Sequence, residues 1–303
     1  MKILISGSHG LIASELIPIL QAKGHKIGRL IRDKADITKN EIFWNAERGS
    51  LDKSALQEFA PDAVIHLAGE GIADGRWTEE RKRKIRDTRV NGTKILAQAL
   101  ATLESPPQVF ISGSAVGFYG NRGDEKLDET SSAGEGFLAE VAQDWEANTQ
   151  AAESKGIRVV HIRTGIVLSE KGGALQKMLL PFRLGLGGVI GHGRQYMSWI
   201  SLEDEVRAIV FALENDSVRG AVNLTAPNPV TNKEFTKSLG KVLLRPTIFP
   251  LPASIARMAF SSEMADETLL TSIRVYPKKL QDLGFQFHHA NLREALRSIL
   301  KSK

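Results

Sequence analysis

KILISGSHGLIASEL, residues 2 to 16, is the stretch whose reading decides the fold. Its first five residues are an apolar run of strand length, and a glycine-punctuated turn follows at once. Leu11, Ile12, Leu16, Ile17 and Leu20 then recur at helical spacing as far as Gly24. The turn itself, Gly7-Ser8-His9-Gly10-Leu11-Ile12-Ala13, is a GxxGxxA pattern between a strand and a helix. Glycines in that place let the backbone turn sharply and approach a pyrophosphate, and the helix N-terminus offers it free amide hydrogens. A small third residue, here Ala13, lets helix and strand pack closely. Gly7, Ser8, His9, Gly10, Leu11 and Ile12 therefore form a candidate dinucleotide site. A tight turn that binds nothing is the plainer alternative.

Working outward, HKIGRLIR (25–32) reads as a second strand, EIFW (41–44) as a third and LDKSALQEFA (51–60) as a short helix. DAVIHLAG (62–69) is an almost wholly apolar fourth strand, the pattern of a strand covered on both faces in a parallel sheet. Thr78 is placed to cap a long helix through Leu103. PPQVFISGS (106–114) is the next strand, Gly134 to Ser154 the next helix, and IRVVHIRTG (157–165) the next strand. Strands and helices in this alternation predict an α/β fold, a doubly wound parallel sheet of the Rossmann kind.

Past Gly165 the texture changes. RLGLGGVIGHGRQY (183–196) carries five glycines between Gly185 and Gly193 and reads as a loop, not as a second phosphate site. SWISLEDEVRAIVFALE gives a short strand and a helix, GAVNLT a strand that returns to the main sheet, and TNKEFTKSLGKVL a further helix. The organisation expected is a dinucleotide-binding domain over 1–165 and a smaller C-terminal substrate-binding lobe over 166–303, with about 218–245 returning to the main sheet. A ligand cleft belongs between the two.

Composition narrows the function classes. At 303 residues, 42% hydrophobic and 25% charged, the chain is an ordinary globular one. No apolar run approaches the ~18 residues of a membrane span, and MKILISGSHG runs straight into a strand with no signal-peptide pattern. A soluble cytoplasmic protein is expected, so the NxS/T tripeptides at Asn91, Asn215 and Asn223 carry little meaning. The absence of cysteine excludes a disulfide framework and a thiolate nucleophile, and the seven scattered histidines predict no metal site. Net charge is +5. Its densest source, RKRKIRDTR (81–89), follows Glu79 and Glu80 and has no interleaved aromatics. That reads as a solvated helix face and not as a nucleic-acid surface, with one or two arginines free to turn inward to a phosphate.

The second strand ends IGRLIRDK, which puts Ile31 and Arg32 at its C-terminal edge, where NAD-binding units keep an acidic residue. A guanidinium there pairs well with a 2′-phosphate, so NADP(H) is preferred over NAD(H). Leu67-Ala68-Gly69, closing the fourth strand, would run beside the cofactor.

ISGSHGLIA, VIHLAGE, RVNGTKIL, VFISGSAVGFYG, VVHIRTGIVL, GHGRQYMSWISLEDEVRAI and AVNLTAPNPVTNKEF together resemble the extended, or atypical, short-chain dehydrogenase/reductase family, nearly from end to end. GEGIADGRW, SGSAVGFYG, FLAEVAQDWE, LLPFRLGLGGVIG and APNPVTNKEF are similar to one subfamily, labelled "epimerase family protein" or cell-division inhibitor. The resemblance implies that Ser114 stands where the family keeps a serine or threonine hydrogen-bonded to the reacting oxygen. It implies that Arg89, where many relatives have asparagine, reaches the cofactor phosphates, and that Ser112 and Arg163 lie on the cofactor edge of the sheet. A strand-end serine and structural ion pairs are the plainer readings of Ser114, Arg89 and Arg163. The family also implies a small-molecule substrate, and homodimers are common in it.

One departure stands out. The family keeps a tyrosine, with a lysine four residues later, in or just before FLAEVAQDWE (137–146). The three tyrosines of this chain, Tyr119, Tyr196 and Tyr276, are followed at that distance by Gly123, Ile200 and Leu280. Leu138, Val141 and Trp145 instead form an apolar stripe, so the segment reads as a core helix. Losing the pair costs about 10²- to 10⁴-fold, some 3 to 5 kcal/mol of barrier, which weakens catalysis without forbidding it. Replacement proton carriers are Tyr119, a phenol of pKa ~10 five residues past Ser114, the carboxylates Glu70, Glu140 and Asp144, and His192 if the glycine-rich loop closes as a lid. Each carboxylate is more often a solvated surface group. The function expected is an NADP(H)-dependent oxidoreductase or epimerase acting on a small polar or sugar-like substrate. The alternative is a catalytically silent NADP(H)-binding sensor.

Overall fold

The computed structural model describes residues 1–301. The apolar runs pair side by side because each needs cover on both faces. Strands β1 (Lys2–Ser6), β2 (Lys26–Ile31), β3 (Glu41–Asn45), β4 (Ser50–Leu51), β5 (Ala63–His66), β6 (Val109–Ala115), β7 (Arg158–Thr164) and β8 (Gly220–Leu224) form one sheet. Its spatial order is β8-β7-β6-β5-β1-β2-β3-β4. Every pair is parallel except β3 with β4. The chain builds outward from β1 through β2 and β3, then crosses to β5 and continues the other way. The switch point between β1 and β5 opens a crevice at the carboxyl ends of the strands, where such sheets bind ligands.

Alternation along the strands divides the core. Ile3, Ile5, Ile65, Ile111, Val160 and Ile162 pack with Leu16 and Leu20 of helix α1 (Leu11–Ala22) and with Val206 and Ile209 of the helix Leu202–Glu214. Leu4, Val64, Phe110 and Val159 face the other way, toward Leu56 of α2 (Lys53–Phe59) and Leu96 and Leu100 of α3 (Glu79–Ala101). Full burial on both faces is why these strands show no polar alternation.

Among the expected boundaries that move, three do so for a clear local reason. Leu51 lies in β4, paired with Trp44, and α2 begins only at Lys53 because the Asp52 carboxylate accepts from the Ala55 amide as its N-cap. The strand around DAVIHLAG stops at His66, since the amides of Leu67 and Ala68 both turn to Ser6 Oγ, at 3.1 and 3.2 Å. The helix expected from Gly134 to Ser154 is two, α4 (Phe137–Ala147) and α5 (Gln150–Ser154). Asn148 Nδ2 and Thr149 Oγ1 donate back to the carbonyls of Asp144 and Glu146, which competes with continued helix at the junction.

A further cluster gathers Trp199, Phe235, Leu239 and Leu296 from the chain after β7. Its helices are Gly173–Arg183, Asn232–Leu243 and Leu292–Lys301, the second opened by a capping box between Thr231 and Glu234. The glycine-rich stretch is a loop, and at Gly188 a Cβ would collide with the Phe249 carbonyl oxygen. No helix among the described residues is long and apolar enough to cross a membrane.

Candidate functional site

The β1–α1 turn sits at the switch point and needs its glycine. Gly7 has φ +67°, and a Cβ there would lie 2.9 Å from the Leu67 carbonyl and the Ala68 nitrogen. The turn thus presses directly on the end of β5. The Gly10 amide donates to Gly7 O at 2.8 Å. Gly10 is also the extended N-cap of α1 and offers no side chain to its first-turn amides. Ser8 is buried, with its Oγ unpartnered among the described residues, while His9 and Gly10 are exposed and Leu11 and Ile12 half-buried. An uncapped helix head beside an orphaned buried hydroxyl fits an anionic group such as a diphosphate.

Two arginines flank that turn's crevice. Arg32, next after the half-buried Ile31 that ends β2, is exposed and has no hydrogen bond or ion pair among the described residues. Arg89 turns inward from α3, so close to Gly69 that a Cβ there would stand 3.1 Å from its Cζ. Its Nη1 donates to Ile85 O at 3.0 Å, and its guanidinium lies 5.2 Å from the Trp145 ring centroid. Burial, opposed by the charge of Glu70, brings Arg89 down to about 10. No ion pair holds it among the described residues. Three other cations of RKRKIRDTR are engaged elsewhere: Arg81 with Glu70, Lys82 with Glu263, Arg86 with Asp144.

At the other side of the crevice, Ser112 is buried, and among the described residues its Oγ makes only a long 3.4 Å contact to Gly113 O. Ser114, 5% exposed, donates from Oγ to Glu146 Oε1 at 2.6 Å. Arg163 lies opposite Ser114 in the β6–β7 register and grips the same carboxylate, Nε to Oε1 and Nη2 to Oε2, both at 2.8 Å. Its Nη1 donates to Tyr119 Oη at 2.9 Å, and that hydroxyl donates to Asn223 Oδ1 of β8 at 2.7 Å. The guanidinium stacks 3.4 Å above the Phe118 ring centroid.

This network corrects two expectations. Tyr119 is no loop phenol within reach of a substrate: it is fully buried, and burial, with Arg163 opposing, pushes its pKa up to about 12. Such a hydroxyl keeps its proton at neutral pH and does not pass it to or from a substrate. Arg163, expected on the cofactor edge of the sheet, takes its plainer reading, a structural ion pair: Nε, Nη1 and Nη2 each bond a protein group. None of the other candidate proton carriers bonds Ser114 among the described residues. Glu70 pairs with Arg81 at 2.9 Å, Asp144 with Arg86, Glu140 is exposed, and exposed His192 accepts at Nδ1 from the Arg194 amide. No group of residues among those described is arranged to hold a metal ion.

Glu146 is the residue that sequence reasoning missed. The stripe in FLAEVAQDWE is real, with Val141 and Trp145 buried. Leu138, Ala142 and Glu146 share one face at i, i+4 and i+8, so a carboxylate on the packed side of a core helix was the available signal.

Residues 3–224 match the model of the NAD dependent epimerase/dehydratase family, and residues 251–299 match a domain of unknown function. An epimerase family protein of Mycobacterium tuberculosis is 47% identical over 294 residues, 97% of this chain and 96% of that protein. The crystal structure of human epimerase family protein SDR39U1 (isoform 2) with NADPH is similar at a TM-score of 0.90 and 31% identity, covering 100% of both chains. UDP-glucose 4-epimerase of Thermus thermophilus, solved with NAD, shares the fold at a TM-score of 0.75 and 18% identity, over 99% of this chain and 98% of that one.

Proposed function

The chain belongs to the NAD dependent epimerase/dehydratase family, and on that premise we propose that it is an NADP(H)-dependent oxidoreductase or epimerase acting on a small polar, sugar-like substrate. The observation that carries this reading is the head of α1, uncapped and beside the orphaned Ser8 hydroxyl. Ser8 and the amides from Gly10 to Ile12 would hold the diphosphate, with His9 at its open side. Arg32, exposed and unpaired, would take the 2′-phosphate, and Ile31 and Leu67 to Gly69 would line the adenosine side. Arg89, free of a counter-ion, would add a cation to the phosphates. The NADPH bound by the human relative supports the choice of cofactor.

When bound, that cofactor supplies a carrier for hydride. The chain's own contribution is to orient the substrate oxygen at Ser114, with residues 166–303 closing the substrate side of the cleft. The missing tyrosine–lysine pair favours a second reading, a cofactor-binding sensor without turnover.

Calorimetric titration with NADPH and NADH tests the cofactor site. Arg32→Ala is expected to lose about 10- to 100-fold in NADPH affinity, the worth of a charge-assisted phosphate contact, and nothing in NADH affinity. An equal loss for both, or no binding of NADPH by the wild type, overturns the assignment. NADPH oxidation across carbonyl compounds and nucleotide sugars, suppressed by Ser114→Ala, supports the enzyme. Binding without turnover leaves the sensor.

A further inference from the structure

A serine hydroxyl has one proton to donate and two lone pairs to accept with. At Ser114 the proton is already placed, on Glu146 Oε1 at 2.6 Å. An ionised carboxylate only accepts, so the direction of this bond is fixed. Arg163 holds both oxygens of Glu146 from its Nε and Nη2, which prevents the carboxylate from turning away. Ser114 therefore meets an incoming molecule with lone pairs alone. It is built to accept from a hydroxyl, not to donate to a carbonyl.

We propose that Ser114 and Glu146 form a proton relay for a substrate alcohol, so that the site takes a secondary alcohol together with NADP⁺. This rests on the cofactor reading above. As the carbinol C–H bond breaks, its electron pair leaves as hydride to NADP⁺. The O–H bond breaks with it: the substrate proton passes to Ser114 Oγ while the Ser114 proton passes to Glu146 Oε1. A ketone, NADPH and one proton on Glu146 result, and the serine is regenerated in the same step. The Glu146 side chain is 12% exposed, which gives the proton a way to water. Glu146 acts through Ser114 and so takes over the proton-accepting role of the absent tyrosine, while Arg163 positions it. Ketone reduction by the same relay requires Glu146 to be protonated first, and so weakens as pH rises.

The titratable groups facing Glu146 are Arg163 and His161 from β7 and, through Arg163, Tyr119 from the turn after β6. Burial lowers the pKa of His161, with Glu146 and Glu153 opposing, and its Nε2 meets Thr149 Oγ1 at 2.8 Å. Arg89 of α3 lies against Trp145, one residue back on α4.

The test uses the full chain, NADP⁺ with sugar alcohols and UDP-glucose, and NADPH with an aromatic α-diketone. Glu146→Gln is expected to lower kcat for alcohol oxidation by about 10²- to 10⁴-fold, with KM and NADPH affinity unchanged, and to abolish the acid limb of the kcat–pH profile. Glu146→Asp keeps the charge but draws it back from Ser114; it folds with Arg163 still paired and regains part of the lost rate. Apart from activity, the infrared difference between wild type and Glu146→Gln shows a carboxylate band that shifts in Ser114→Ala. An unshifted band, or unchanged kcat and pH profile in both Glu146 variants of an active protein, overturns the relay and leaves the cofactor site standing. Turnover of the diketone without any alcohol oxidation overturns the direction. NADPH binding with no turnover at all removes the relay, and no NADPH binding removes both readings.

Discussion

Tyr119 and Glu146 exchange the roles that their chemistry suggests in isolation. The phenol is the obvious proton carrier in a chain lacking the family's tyrosine–lysine pair, yet its hydroxyl is wedged between Arg163 Nη1 and Asn223 Oδ1. It is a structural group. Tyr119→Phe leaves both partners unsatisfied in a buried place and is expected to cost about 1–3 kcal/mol of stability, read by urea unfolding, with NADPH affinity unchanged. Normal stability would mean that the network contributes nothing to folding. Glu146, by contrast, reads as the polar end of a core helix and proves to be the carboxylate under Ser114. The placement of Ser114 at a strand end was legible from family resemblance, and that of Ser8 and Gly10 in the turn and of Arg32 after β2 from spacing alone, because local geometry is set by a few consecutive residues. The partners of Arg163 were not legible. Its strand position was evident, but its pairing with a carboxylate depended on a helix 17 residues away.

Helices and strands show where local rules hold and where they yield. The β1–α1 unit appears as expected because apolar run, glycine turn and helical period all agree over one short segment. The break between α4 and α5 was not visible in the hydrophobic period, since it comes from Asn148 and Thr149 bonding back to the preceding turn. Another helix end carries a correctable strain. The helix Asn232–Leu243 ends at Leu244, which adopts φ 54°, ψ 44° while 85% exposed. A left-handed conformation costs a side-chain-bearing residue about 1–2 kcal/mol, which glycine avoids. Leu244→Gly is expected to stabilise the protein by about 0.5–1 kcal/mol after its own chain-entropy cost, raising the melting temperature; a lower one would show that Leu244 makes contacts that outweigh the strain.

Across the whole molecule, two buried titratable groups oppose each other in pH. Burial brings His66 down from 6.5 to about 3. Between those values the unfolded chain binds a proton that the folded one refuses, so stability falls as pH drops through that window. Burial raises Glu205 from 4.5 to about 8, against the hydrogen bond from Thr164. The folded state then keeps a proton that the unfolded chain releases, and this contribution, whole below 4.5, is lost as pH rises toward about 8. Glu205→Gln keeps a neutral side chain and is expected to flatten the decline in melting temperature over that range; an unchanged slope would show that Glu205 is ionised in the folded protein. By itself the sequence determined the parallel α/β sheet, the glycine turn at its switch point and the arginine at the end of β2. Each is written in contiguous residues whose spacing, apolar character and backbone freedom act over a few positions. Tertiary structure alone decided the meeting of Ser114, Glu146, Arg163, Tyr119 and Asn223. Ser114 and Glu146 stand 32 residues apart and Tyr119 and Asn223 104, so the five hydrogen bonds joining these residues form only when β6, β7 and β8 align and α4 packs across them.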